Sequence, residues 1–166
     1  AHVVRCFVDG DITHVAGKID PIADIDTIET ELMLADLDSL EKRVDNLGKK
    51  AKGSDREAQE AKATLDLVNR ALVLLRDGKP ARMVERPPEL EKVFRMLGLL
   101  TAIPMLYVCN VDEASAATGN EFSSQVEARA RAEGAACVVI SAKIEAEIAV
   151  LPPAERADYL DAITDV

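Results

Sequence analysis

The feature that most constrains this fold is a pair of heptad-spaced apolar seams separated by a short turn. Spacings of four and three alternate through the first seam: Met33, Leu37, Leu40, Val44, Leu47 and Ala51. The second seam repeats the pattern: Ala58, Ala61, Leu65, Val68, Leu72 and Leu75. A heptad seam is typical of a helix that packs along a partner. Because the turn is short, we expect two antiparallel helices that form a coiled-coil hairpin over residues 21–78.

The ends of both helices carry sequence signals of their own. Asp20 is a candidate N-cap, and Pro21 suits the first helical turn. Ser54 and Glu57 have the spacing of a capping box, which predicts the start of the second helix, and Gly78 is expected to end it. At 1.5 Å per residue the first arm would be about 45 Å long. The hairpin is therefore expected to extend well beyond a small sheet.

Three short apolar runs, at residues 2–6, 104–109 and 136–140, predict the strands of a parallel sheet. The last two flank a helical pattern that ends at Gly134, which is the order of a βαβ unit. Near-continuous apolar strands favour a sheet that is covered on both faces. The predicted fold class is therefore α/β. Its predicted domains are a strand and loop at 1–19, a helical insertion at 20–98, and the remainder of the sheet domain at 99–166.

The charge distribution limits the classes of partner. A formal net charge of −10 argues against a general nucleic-acid binder, because phosphate contacts need clustered Lys and Arg. One dense basic cluster does surround the turn of the hairpin: Lys49, Lys50, Lys52, Arg56 and Lys62. This cluster is either a contact for RNA or a protein partner, or a solvated helix tip. The solvated tip is the simpler interpretation.

The cysteine and histidine positions give no sign of a metal site. Cys6, Cys109 and Cys137 fall in predicted strands without metal-ligand spacing, so we interpret them as reduced core thiols of a cytoplasmic protein. His14 is either a ligand or base, or an ordinary structural histidine, and the lack of nearby partner residues favours the structural role. The chain has no apolar stretch long enough to cross a bilayer, and no membrane partner is expected.

Functional side chains follow each predicted strand, at the edge where α/β sheets bind their ligands. Phe7 follows the first strand. The two other loops are Asn110-Val111-Asp112-Glu113 and Ser141-Ala142-Lys143. An amide, a Ser-Ala-Lys loop and an aromatic ring on one rim suit a flat, hydrogen-bonding ring such as a nucleobase. Structural capping of the loops is the competing interpretation.

The first of these loops resembles the Asn-Lys-x-Asp loop of GTPase-type domains, with Glu113 in place of the final Asp. The extra methylene moves the carboxylate away from the guanine N1 and N2 donors, so guanine selection should weaken. Asn110 keeps an amide that can pair with adenine N6 and N7. Val111 would offer an apolar contact to a base face, and the Ala142 N–H is expected to donate to a purine acceptor. Phe7 would either stack on the base or cap the sheet.

Over nearly its whole length, the chain resembles the YchF or Obg-like ATPases, a branch of the translation-factor class of P-loop GTPases. The resemblance rests on blocks in the family's order: Arg5-Cys6-Phe7, Asp11-Ile12-Thr13-His14-Val15, Gly17-Lys18-Ile19-Asp20-Pro21-Ile22-Ala23-Asp24-Ile25, Gly78-Lys79-Pro80-Ala81-Arg82, Leu100-Thr101, residues 110–113, and Ile140-Ser141-Ala142-Lys143-Ile144-Glu145-Ala146-Glu147.

This resemblance implies a partial Ras-like P-loop NTPase sheet that carries the coiled-coil hairpin as an insertion. It implies ATP preferred over GTP, Mg²⁺ in the intact protein, and association with the ribosome or ribosomal RNA. It also implies that Phe7, Asn110 and Val111 surround the adenine, with residues 141–143 completing the base pocket.

The sequence contains no G-x-x-x-x-G-K-[ST] loop, the element that cradles phosphates and supplies a Mg²⁺-binding hydroxyl. We therefore interpret the chain as a central fragment without the P-loop or the family's C-terminal TGS domain, without catalytic residues and inactive by itself. An exposed sheet face and edge would favour self-association. Two alternatives remain: a coiled-coil module that binds RNA or protein without nucleotide function, and an unrelated α/β scaffold.

Overall fold

The computed structural model describes residues 1–8 and 19–164, and for residues 161–164 it describes only the backbone. His14 and the motif blocks at residues 11–15 and 17–18 lie outside this described part. The strands are β1 His2–Arg5, β2 Leu106–Asn110 and β3 Ala136–Ile140. The helices are α1 Pro21–Lys50, α2 Arg56–Arg76, α3 Glu91–Met96, α4 Glu121–Glu133, α5 Ala142–Val150 and α6 Pro153–Thr164.

The chain divides into two compact units, which are described separately. The sheet unit comprises Ala1–Ile25 and Met105–Val166, and the helical unit comprises Asp26–Pro104. The first turn of α1 belongs to the sheet unit and the rest of that helix to the helical unit. The domain boundaries predicted from the sequence, after residues 19 and 98, stay a prediction.

The sheet unit contains a three-stranded parallel sheet in the order β1-β2-β3. Arg5 lies opposite Asn110, and Asn110 lies opposite Ile140. The predicted βαβ unit is therefore confirmed, with α4 as its crossover. The helix ends at Gly134, whose φ of 67° is the left-handed conformation that glycine adopts without strain.

Only one face of this sheet is covered within the described residues. Val4, Tyr107 and Cys109 are buried on that face and pack in one core with Val126 of α4. On the opposite face, Val3, Val108 and Val138 are direct cross-strand neighbours. Val3 is 64% exposed and Val138 is 43% exposed. The prediction of a sheet covered on both faces does not hold within the described residues, because Val3 and Val138 of this row stay exposed.

The helical unit is built on α1 and α2, and residues earlier in α1 contact residues later in α2. Arg76 pairs with Glu41 at 2.7 Å, whereas Lys50 pairs with Glu57 at 3.7 Å. Such an order requires antiparallel helices, as expected from the short turn. Seam residues of both helices share one core, including Leu40, Val68, Leu72 and Leu75. Regular coiled-coil packing along the whole hairpin stays a prediction.

The starts of the two long helices test the capping predictions. Asp20 Oδ1 accepts from the Ala23 N–H at 3.0 Å, which confirms the predicted cap of α1. For α2 the prediction is wrong by one residue: the N-cap is Asp55, not Ser54, and its side chain accepts from the Ala58 N–H at 2.8 Å. Both residue types cap helices well, and here the carboxylate is the group that reaches the free N–H.

Candidate functional site

The ends of the three strands are held together by backbone hydrogen bonds. The Cys6 N–H donates to the Asn110 carbonyl at 2.8 Å, and the Val111 N–H donates to the Ile140 carbonyl at 2.9 Å. The loops that follow the strands therefore begin at one edge of the sheet. This edge, formed by residues 6–7, 110–113 and 141–143, is called the rim below. Its position at the carboxyl ends of parallel strands is where α/β sheets bind ligands.

Asn110 connects two of the rim loops through its side chain. Its Oδ1 atom accepts a hydrogen bond from the Ala142 N–H at 2.9 Å. The sequence predicts that this N–H donates to a purine, whereas in the structure it already donates to Asn110. No described residue is bonded to the Nδ2 group of Asn110, so this amide remains available as a donor. The bond fixes the separation of the two loops, which makes the rim a preformed surface.

A second link between the same loops is the ion pair of Glu113 with Lys143. Its side chains are 45% and 68% exposed, so solvent screens their attraction. The hydrogen bond from Lys143 holds the pKa of Glu113 below its usual value, and the same contact raises the pKa of Lys143. Neighbouring Asp112 accepts from the Ser115 N–H at 2.9 Å and caps a short 3-10 helix. The loop carboxylates therefore both have partners within the protein.

Two predicted site residues are largely buried. Val111 is 3% exposed and packs in the core of the sheet unit, so its side chain is not available as an apolar contact for a base. Ser141 is 4% exposed, and its side chain makes no capping bond to α5. Structural capping, the competing interpretation of this loop, therefore does not explain the Ser141 side chain. Among the described residues, its Oγ atom has no hydrogen-bond partner.

Phe7 is half-buried at the end of β1 and contacts Arg5. The guanidinium carbon of Arg5 lies 5.0 Å from the centre of the Phe7 ring, a distance typical of a cation–π contact. Arg5 Nε also donates to the Phe7 carbonyl at 3.3 Å. Arg5 therefore covers one side of the ring and fixes its orientation at the rim.

Asn120 supports the rim, a role that was not predicted from the sequence. It is the N-cap of α4, where its side chain accepts from the Ser123 N–H at 3.0 Å. Its Nδ2 donates to the Cys6 carbonyl at 2.7 Å, immediately before Phe7. The Gly-Asn pair before a helix was a usable signal for the cap. The hydrogen bond to Cys6, which lies 114 positions earlier, could not be predicted from the sequence around Asn120.

A groove of about 580 Å³ adjoins the rim in the sheet unit. Its walls include Glu113, Ser141, Ile144, Ile148 and Tyr159. Tyr159 donates a hydrogen bond to Glu147, and this bond raises the pKa of the tyrosine. Glu145 and Glu147 are exposed on α5.

The basic cluster of the hairpin lies in the helical unit, and all its side chains are exposed. Lys50 pairs with Glu57 at 3.7 Å, Arg56 pairs with Glu60 at 2.9 Å, and Lys62 donates to the Gly53 carbonyl at 3.3 Å. Lys49 and Lys52 line a shallow groove of about 510 Å³. Acidic neighbours thus offset part of the positive charge, whereas Lys49 and Lys52 are exposed and form no ion pair with another described residue.

No group of three or more His, Cys, Asp or Glu side chains in residues 1–8 and 19–164 is arranged to hold a metal ion. Over the same residues, no helix combines the length and the apolar character that a membrane span needs.

Comparison with known proteins gives relatives along nearly the whole chain. It is 43% identical over 162 residues to the ribosome-binding ATPase YchF of Bacillus subtilis. It is 30% identical over 160 residues to Obg-like ATPase 1 of rice. These alignments cover 96% and 95% of the chain, but 43% and 40% of the relatives. The chain therefore spans less than half the length of these relatives. No protein-family model matches it.

A solved structure agrees with the fold. The Schizosaccharomyces pombe YchF GTPase superimposes with a TM-score of 0.82, covering 97% of this chain and 44% of the other. The sequence identity over this superposition is 24%, so the likeness concerns the fold. It supports an α/β fold with a small parallel sheet and a large helical part.

Proposed function

Because the chain is a homologue of YchF and the Obg-like ATPases, as its motifs predicted, we propose that it supplies the base-binding rim and the helical insertion of a nucleotide-hydrolysing protein. The proposed substrate is ATP, with GTP bound more weakly. The observation that carries this proposal is the hydrogen bond between Asn110 Oδ1 and the Ala142 N–H, which builds one rim from two loops.

Asn110 is the residue we assign to adenine recognition. Its free Nδ2–H suits a purine ring nitrogen, and the second lone pair of Oδ1 suits the adenine N6 amino group, the pairing that Asn makes with adenine elsewhere. We assign Phe7 a contact with a ring at the same edge; the Arg5 guanidinium against the Phe7 ring supports this assignment, because it leaves the other side of the ring for the base. Since Val111 is buried, its proposed contribution is to hold the loop rather than to touch the base.

The contribution of this chain to hydrolysis is selection and orientation of the base. Phosphate and Mg²⁺ contacts belong to the P-loop element, which the sequence lacks. When bound elsewhere in a full-length protein, Mg²⁺ would neutralise charge on the phosphates. We therefore propose that the isolated chain is inactive and that hydrolysis needs the residues present in its longer relatives.

Calorimetric titration of ATP and GTP, each with Mg²⁺, into this chain and into the full-length protein that carries it tests the proposal. The full-length protein is expected to bind ATP more tightly than GTP, and the isolated chain much more weakly. Asn110→Ala should reduce ATP affinity, whereas Asn46→Ala, an exposed change on α1, should not. Equal ATP affinity in both variants would support the alternative of an unrelated scaffold.

A second candidate function rests on the exposed basic cluster at the hairpin turn. YchF relatives are named ribosome-binding ATPases, and we propose that Lys49, Lys50 and Lys52 contact ribosomal RNA phosphates or a ribosomal protein. In this alternative the hairpin is an RNA- or protein-binding module and the sheet is its support. Neutralising the three lysines separates the two functions, because ribosome binding would fall while nucleotide binding would stay.

We also propose cytoplasmic localisation, in keeping with ribosome association, and self-association of the isolated chain. The exposed row of Val3, Val108 and Val138 supports the latter, since contiguous apolar patches promote contacts between copies. Light scattering tests it: a mass that rises with concentration is expected, and a sharp monomer would contradict the proposal.

A further inference from the structure

We propose that Lys143 is a specificity-determining residue, which disfavours guanine by engaging Glu113 at the rim. The inference rests on the proposed nucleotide-binding function and deepens it. Glu113 occupies the position where GTPase-type domains carry the acidic acceptor for guanine. In this chain the Glu113 carboxylate has a cation from the neighbouring rim loop as its partner.

Guanine and adenine place opposite demands on such a rim. Guanine presents an acceptor at O6 and adjacent donors at N1 and N2, so its recognition needs one free donor and a carboxylate that accepts with both oxygens. Adenine presents a donor at N6 and an acceptor at N1, so it gains nothing from a free carboxylate at this position. A free Glu113 carboxylate therefore favours guanine, and a carboxylate that is paired with Lys143 removes this advantage.

The structure engages both groups that guanine would use. The Ala142 N–H donates to Asn110 Oδ1 at 2.9 Å, so it is not free to donate to guanine O6. Glu113 Oε1 is bonded by the Lys143 ammonium, so a bidentate contact with guanine N1 and N2 requires the ion pair to break. Asn110 Nδ2 has no bond to a described residue and can donate to N7 of either purine, so the discrimination rests on Glu113 and the Ala142 N–H.

The surroundings of Lys143 favour this ion pair. Lys143 lies in the first turn of α5, directly after the residue that bonds Asn110. Glu147, one helical turn further on, adds a second attraction for the ammonium group. Glu113 begins the 3-10 helix that Asp112 caps, which limits the freedom of its backbone. The two partners are thus held on loops that already have a fixed separation.

The test is the ratio of GTP to ATP affinity in the full-length protein, measured by calorimetry for wild type and Lys143→Ala. The variant should raise the affinity for GTP relative to ATP by roughly two- to fivefold, because a solvent-exposed ion pair is worth up to about 1 kcal/mol. ATP affinity should change less than about twofold. Lys143→Arg, which keeps a cation for Glu113, should retain the wild-type ratio.

Two further variants separate this role from a structural one. Lys79→Ala removes a lysine from another exposed ion pair, that with Asp77, and should leave the ratio unchanged. Adding Glu113→Ala to Lys143→Ala should cancel the gain in GTP affinity, because the freed acceptor is then absent. An equal loss of affinity for both nucleotides in Lys143→Ala, or an unchanged ratio, overturns the inference. Absence of ATP binding by the wild type would instead overturn the proposed function.

Discussion

The carboxylate of Asp36 accepts hydrogen bonds from both the backbone N–H and the hydroxyl of Thr101, at 2.8 and 2.6 Å. The same carboxylate accepts from the Leu100 N–H at 2.7 Å, and the Thr101 hydroxyl oxygen accepts from the Ala81 N–H at 3.0 Å. Asp36 is 2% exposed and Thr101 is 3% exposed. One buried side chain of α1 therefore fixes the segment that leads out of the helical unit.

Replacement of Asp36 by alanine is expected to destabilise the protein by about 3 kcal/mol, because buried donors then lose a charged acceptor. Urea unfolding followed by circular dichroism measures this, with each unit's transition fitted separately if the two do not coincide. The matched control is Asp38→Ala, whose carboxylate is 66% exposed and pairs with Lys42. That change should cost less than about 1 kcal/mol. Equal effects would contradict a special role for Asp36.

Asn120→Ala is expected to cost about 1–2 kcal/mol, the usual penalty for losing an N-cap. Asn120→Asp retains an acceptor for the Ser123 N–H but has no amide to donate to the Cys6 carbonyl. The aspartate variant should therefore keep the α4 cap, while the end of β1 loses the hydrogen bond to the Cys6 carbonyl. Hydrogen exchange of the Cys6 amide, which bonds Asn110, distinguishes the two variants. Full protection in the aspartate variant would show that the Cys6 bond is unimportant.

The carboxyl group of Glu113 is expected to titrate below its ordinary pKa of 4.5, because the Lys143 hydrogen bond favours the charged form. A lowered folded-state pKa means that the ion pair is intact above pH 4.5 and is lost as the pH falls through the lower folded-state value. Carbon-detected NMR of the side-chain carboxyl measures this directly. In Lys143→Ala the pKa should return towards the ordinary value. An unshifted pKa in the wild type would argue against a persistent pair.

Neutralising the hairpin cluster with Lys49→Ala, Lys50→Ala and Lys52→Ala together should weaken binding of the full-length protein to purified ribosomes. If the lysines contact RNA phosphates, the plot of log affinity against log salt concentration should become less steep. Its slope should shrink in magnitude by about two to three, since each phosphate contact contributes roughly 0.7–0.9. A control with the same change of charge replaces Lys42, Lys79 and Lys92, which lie outside the cluster. Equal losses in both triple variants would indicate only an effect of net charge.

The sequence predicted the helices and strands of this protein more accurately than it predicted the contacts between side chains. Heptad spacing located both long helices, and the ends of the three apolar runs located the rim, because helix and strand periodicities are local properties. The cap of α2 was misplaced by one residue, since Ser54 and Asp55 are both good caps and only geometry decides between them. The burial of Val111 was also unforeseen, because the residue follows a strand but still faces the core.

The chain's sequence by itself determined the two amphipathic helices, the parallel βαβ unit, and the order of loops that marks homology to YchF. These properties depend on residue spacing along a few turns or strands. Only the tertiary structure decided that Asn110 bonds Ala142, that Lys143 engages Glu113, and that Asp36 holds Thr101. Each of those pairs joins residues 30 or more positions apart. Such pairing depends on where packed helices and strands place the side chains, which no local pattern encodes.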